Sequence, residues 1–186
     1  FHTAAGREVR DGGGVSPDIE VKQERLPNIL FYLVRDNLIF DYATDYCLKH
    51  PVIASAKEFE LADADYEEFK NKVKGADFKY DQQSEKILNT LKEAAEFEGY
   101  MKDASDEFKA LENKLKHNLD RDLDYFSKDI KKMIAEEIIK RYYYQEGAII
   151  QQLKDDKDLD EAVKVLTNPE RYQQILSVTA ATAKKE

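Results

Sequence analysis

The 186 residues are 36% charged, carry a formal net charge of −9 and include one cysteine, Cys47. A chain of this length buries a sizeable core, but its acidity, with no lysine–arginine block outweighing its acidic neighbours, argues against nucleic acid as a partner. No apolar run approaches the roughly 20 residues that span a bilayer, and a lone cysteine forms neither an internal disulfide nor a thiolate metal cluster.

The opening, Phe1 to Val21, contains four of the seven glycines and all the β signals. Phe1–Thr3, a turn at Ala4–Gly6, Arg7–Arg10 and the alternation Ile19-Glu-Val21 predict a short β segment. Gly12, Gly13 and Gly14 suit a turn or bulge; without a following Gly-Lys-Ser/Thr they are not a phosphate cradle. An opening without methionine, in what reads as mid-strand, leads us to expect that the chain continues a larger protein.

From Pro27 the period changes to 3.6, proline being well suited to a first helical turn. Ile29, Leu30, Leu33, Val34, Leu38, Tyr42 and Tyr46 predict one helix to near Lys49, stopped by His50-Pro51. The width of its apolar face makes it central. Asp63 predicts an N-cap and Gly75 the end of the next helix; residues 82–98 predict another, ended by Gly99. Phe108, Leu111, Leu115, Leu119, Leu123, Phe126, Ile130, Ile134 and Ile138 then recur without a gap. Unbroken helix over residues 105–144 would measure about 60 Å, too long for a compact domain, so the run either breaks or bends near Asn118–Asp120, the preferred reading, or projects as an arm. Short helices follow: residues 145–154, one from Asp158 with Glu161 completing a capping box, and one from Asn168-Pro169. The fold class is therefore mainly α, a multi-helix domain preceded by a short β segment. The expected limits are 1–25 for the β segment, 26–178 for the helical domain and 179–186 for a disordered tail.

The side chains offer little chemistry. Ser55-Ala-Lys57 pairs a nucleophile with a base in principle, but nothing apolar is arranged to desolvate the lysine, and an exposed loop is the better reading. His2, His50 and His117 lack a second ligand at zinc spacing, with His50 at a helix end and His117 on a helix flank. Asp156, Asp158 and Asp160 resemble the start of a calcium loop, but Glu161 stands where glycine is needed and Thr167 where a bidentate glutamate belongs. No catalytic, cofactor-binding or metal residue is expected. Tyr142, Tyr143 and Tyr144 point in three directions on a helix. Core packing with hydroxyls reaching polar partners is one reading, and a candidate interface the other.

The stretch Gly6-Arg-x-x-x-Asp11-Gly-Gly-Gly-Val-Ser-Pro-Asp-Ile-x-Val21 resembles the carboxyl-terminal processing peptidases, or tail-specific proteases. Phe40-Asp-Tyr-Ala-Thr44, Tyr80-Asp-Gln-Gln-Ser-Glu85 and Arg141-Tyr-Tyr-Tyr-Gln145 resemble the long C-terminal region of such enzymes in Bacteroidetes-type bacteria. The resemblance implies a Ser/Lys serine endopeptidase with a PDZ domain, acting on protein tails in the periplasm, as the parent. The family's nucleophile and lysine match no position in this sequence, and Gly6, Arg7, Gly14, Pro17 and Asp18 are implied to shape the edge of the peptidase core. The chain is then expected to be a non-catalytic region serving assembly or substrate presentation, its partners being the rest of the parent, protein substrates and further copies of itself. An independent helical binding module is the alternative.

Overall fold

The computed structural model describes Phe1, Gly12 and residues 17–22 and 25–177. Among them are nine α-helices, two 3₁₀ turns and no strand, so the fold is mainly α. Most of the expected β segment lies outside the described residues. Ile19-Glu-Val21 lies within them but joins no ladder, and the chain bends at Asp18–Ile19. The chain divides into two compact units, Arg25–Gln152 and a smaller one formed from Phe1–Glu24 and Leu153–Glu186.

In the larger unit the single helix expected over 27–49 is two, α1 (Asn28–Arg35) and α2 (Leu38–Lys49). Between them Asn37 takes the left-handed conformation, φ 58°, which asparagine tolerates better than most residues. The turn is closed by the Asp36 N–H donating to Tyr32 O at 2.9 Å and the Asn37 N–H to Val34 O at 3.0 Å. The break redirects the chain so that Ile29, Leu30 and Leu33 enter the same core as Ile39, Tyr42 and Ala43.

Helix α3 (Asp63–Gly75) follows. Asp63 is its first residue instead of its cap, its carboxylate being drawn to Lys131; the helix ends at Gly75 as expected, and the left-handed residue beyond it is Asp77, φ 48°. Helix α4 (Gln83–Phe97) stops as expected before Gly99, φ 84°. A 3₁₀ turn, Tyr100–Lys102, leads to α5 (Ser105–Leu115), α6 (Leu119–Tyr125) and α7 (Ser127–Gln152). The long periodic run thus breaks at 116–118, where the Asn118 side chain caps α6 by accepting the Arg121 N–H at 3.0 Å.

It kinks again at Phe126, φ −96° and ψ 16°, which the apolar pattern concealed. The helical hydrogen bonds run through that residue: the Phe126 N–H reaches Asp122 O and the Ile130 N–H reaches Phe126 O, both at 3.0 Å. Helix α7 turns sharply at Tyr144, φ 54° and ψ −151°, and the Gln145–Gln152 arm folds back, so that Gln152 Nε2 donates to Glu136 Oε1 at 2.5 Å. Gly147 makes this possible, since a Cβ there would lie 2.4 Å from Tyr143 Cβ and 2.8 Å from Ile139 Cγ2.

The main core joins α1, α2, α3, α6 and α7 around Phe69, Leu123, Ile130, Ile134 and Ile138. Helices α4 and α5 form a hairpin with a small core of its own, Leu88, Ala95 and Phe108. In the smaller unit, α8 (Lys157–Leu166) is capped by Asp156, which accepts the Leu159 N–H at 2.9 Å, two residues earlier than expected. Helix α9 (Pro169–Ser177) is capped by Asn168, which accepts the Arg171 N–H at 3.0 Å. Among the described residues no helix is long and apolar enough to cross a membrane.

Candidate functional site

The smaller unit presents an incompletely covered apolar surface. Helices α8 and α9 are tied together by Glu161, which accepts from Arg171 at 2.5 Å and pairs with Lys164 at 3.5 Å. The Arg171 bond holds the Glu161 carboxyl below its ordinary range. Beside this hairpin lies the stretch Pro17–Val21, bent at Asp18–Ile19. Together they form a groove of about 340 Å³, with Ile19, Val21, Val165, Leu166, Tyr172 and Leu176 among its lining. Not one described side chain of this unit is fully buried. The alternation read as a strand puts Ile19 and Val21, both half-buried, into the groove and leaves Glu20 exposed. Its period-2 pattern is met by helices.

Pro17 and Asp18 line the same groove and are exposed. Gly6, Arg7 and Gly14 lie outside the described residues. Tyr142, Tyr143 and Tyr144 belong to the larger unit and have different surroundings. Tyr142 is half-buried and its hydroxyl donates to His50 O; burial pushes it up to about 12. The Tyr143 hydroxyl donates to Ala54 O at 3.1 Å. Tyr144, at the turn of α7, is 78% exposed.

Three arrangements escaped the sequence reading. Arg141 bridges two of the stretches that carry the resemblance. Its guanidinium lies 4.6 Å from the Phe40 ring centroid and donates to Phe40 O at 3.0 Å, Thr44 Oγ1 at 3.1 Å and Glu137 Oε1 at 2.8 Å. Asp122, 3% exposed, gathers the third stretch, accepting from the Tyr80 hydroxyl at 2.5 Å, Gln82 Nε2 at 2.9 Å and Arg121 Nη1 at 3.0 Å. Burial, and then the bond to Asp122, raise the Tyr80 hydroxyl above its ordinary value. A second groove of about 300 Å³ opens between the α1–α2 corner and α7, lined by Val34, Asn37, Ile39, Phe40, Met133, Glu136 and Glu137. Arg141 could have been suspected from its place in the tyrosine cluster. Asp122 could not, because Asp120, Asp122 and Asp124 look alike in the sequence.

Ser55 Oγ donates to Glu58 Oε2 at 2.8 Å and both are exposed. His50 closes α2, its Nδ1 2.9 Å from Tyr46 O and its ring stacked on Tyr46 at 4.0 Å. His117 sits in the α5–α6 connection instead of on a helix flank, its ring edge-to-face with Tyr80 at 4.7 Å between centroids. The Asp156 carboxylate serves as a helix cap.

A family model described as "Probable PDZ-protease, C-terminal helical domain" matches residues 29–166. No curated protein and no solved structure matches the chain.

Proposed function

This chain belongs to the family of C-terminal helical domains of probable PDZ-proteases, and from that premise we propose that it is a non-catalytic region that docks on the catalytic core of its parent and assists assembly or substrate presentation. The observation that carries the reading is the α8–α9 hairpin. Its apolar residues share one groove with Pro17-Asp-Ile-Glu-Val21, the stretch whose resemblance is to the edge of a peptidase core. Two short helices without a fully buried side chain gain little by themselves, since burial of apolar surface is what offsets the entropy of ordering them. A surface that covers them stabilises both partners. On this reading the parent is a Ser/Lys endopeptidase of the tail-specific type in a bacterial periplasm, its substrates are proteins, and copies of the helical region associate.

Leu166 is 68% exposed and lines the groove. In the intact parent peptidase, Leu166→Glu is expected to lower processing of protein substrates and to make the link between core and helical region more sensitive to added protease. Unchanged processing and unchanged sensitivity would refute the docking. The isolated chain is expected to leave an unfolded protein uncleaved; cleavage that disappears with Ser55→Ala would overturn the non-catalytic reading. Light scattering across a concentration series reads the association of copies.

A further inference from the structure

The geometry points to the α1–α2/α7 groove as a receptor for an extended peptide segment in which a large apolar side chain adjoins a lysine or arginine. The floor and sides are apolar: Val34, Ile39, Phe40 and Met133. Val34 and Phe40 are 49% and 55% exposed, so the mouth of the groove is apolar too. A cavity of about 300 Å³ accommodates a large side chain, since liquid water occupies about 30 Å³ per molecule. Such a slot by itself would take any apolar group.

Charge makes the choice. Among the described residues the lining includes two carboxylates, Glu136 and Glu137, and no cation. Arg141 pairs with Glu137 at 2.8 Å and is held by Phe40 O and Thr44 Oγ1, which keep its guanidinium on the Phe40 ring. The bond that Glu136 accepts from Gln152 comes from a neutral carboxamide, which satisfies an oxygen without cancelling the charge. The groove is therefore apolar with one carboxylate, Glu136, whose charge is offset by no ion pair among the described residues, on a molecule of net charge −9. A ligand cation beside Glu136 gains an ion pair in partly desolvated surroundings, whereas a ligand carboxylate there meets repulsion. This rests on the substrate-presentation part of the reading above and names the substrate feature that would be recognised.

The test uses the 186-residue chain and fluorescently labelled unstructured peptides followed by anisotropy. One carries a Phe-Lys centre; a second replaces the lysine with glutamate, and a third replaces the phenylalanine with serine. The Phe-Lys peptide is expected to bind about tenfold more tightly than the other two, with affinity falling as salt rises. Glu136→Lys should invert the preference between lysine and glutamate peptides, and Val34→Asp should weaken binding of the Phe-Lys peptide about tenfold. Circular dichroism checks that both variants keep the helical fold, and the Glu136→Lys inversion stands alone if Val34→Asp does not. Equal binding of the acidic peptide, no inversion with Glu136→Lys, or absence of saturable binding would each overturn the assignment. So would self-association of the chain through this face in place of peptide binding. Neither proteolysis nor core docking is read here, so a negative result leaves the α8–α9 proposal standing, and the converse holds.

Discussion

At the scale of single residues, three positions concentrate the tension in this molecule. Asp122 is a buried carboxylate surrounded by donors from Tyr80, Gln82 and Arg121. A buried charge is tolerable when its lone pairs are satisfied, and removing one member leaves the others unpaired. Asp122→Ala is therefore expected to cost about 2–3 kcal/mol, and Asp122→Asn less, by urea unfolding. Tyr144 holds a backbone conformation that belongs to glycine, while its side chain is exposed. Tyr144→Gly relieves that strain and loses little packing, so a gain of about 1 kcal/mol is expected after allowing for glycine's greater freedom in the unfolded chain. Gly147→Ala acts in the opposite direction. Its new methyl would have to displace Tyr143 Cβ and Ile139 Cγ2, at a cost of about 2 kcal/mol. Thermal melting of the two variants should move to opposite sides of the wild type.

At the scale of elements, cooperativity is uneven. The α4–α5 hairpin buries only Leu88, Ala95 and Phe108 in its own cluster, backed by Met101, Ala104 and Leu115, and is braced across by Lys92 to Glu112 at 2.6 Å. Small cores open locally at a lower free energy than large ones. Hydrogen exchange should find the amides of residues 83–115 opening before those of α2 and the first arm of α7. Phe108→Ala should accelerate that local exchange strongly while leaving α2 almost unaffected; equal acceleration in both would show a single cooperative unit instead. The base of the hairpin is the Tyr80–Gln82 stretch fastened to Asp122, so Asp122→Ala should also loosen the hairpin.

At the scale of the whole molecule, titration should set two limits of stability. Bonds to Lys72, Lys131 and Lys86 hold the Asp45, Asp63 and Asp81 carboxyls below the ordinary value, which is about 3.9 in the unfolded chain. Their contribution is complete above that value and is lost as pH falls through the lower, folded one. These pairs are exposed and screened by solvent, so the acid limb should be shallow. Tyr42, Tyr66, Tyr80 and Tyr142 are all raised by burial. Their neutral forms stabilise the fold fully below the unfolded value of about 10, and that contribution is lost as pH rises through the folded values. Ultraviolet titration should show a group of tyrosines that ionise only together with the loss of helical circular dichroism. Normal titration of every tyrosine in the folded chain would contradict the burial described.

What could be read in the sequence is what depends on neighbours a few residues apart. The helical class, the stop at Gly99, the break near Asn118 and the Asn168-Pro169 start follow from periodicity, from glycine's freedom at positive φ and from short side chains capping free N–H groups. The family resemblance was legible for the same reason, being carried by contiguous stretches. The tertiary structure alone decided the division at Asn37, the fold-back at Tyr144, the Asp122 node and the groove containing Glu136. In each, a local preference yields to groups far apart in the chain. Burying the faces of α1 and α2 in one core turns the chain at an asparagine, and packing Gly147 against Ile139 bends a helix that no proline or glycine breaks. Whether a carboxylate in a run of carboxylates becomes an anchor or stays a solvated charge depends on what surrounds it, and those surroundings exist only once the chain has folded.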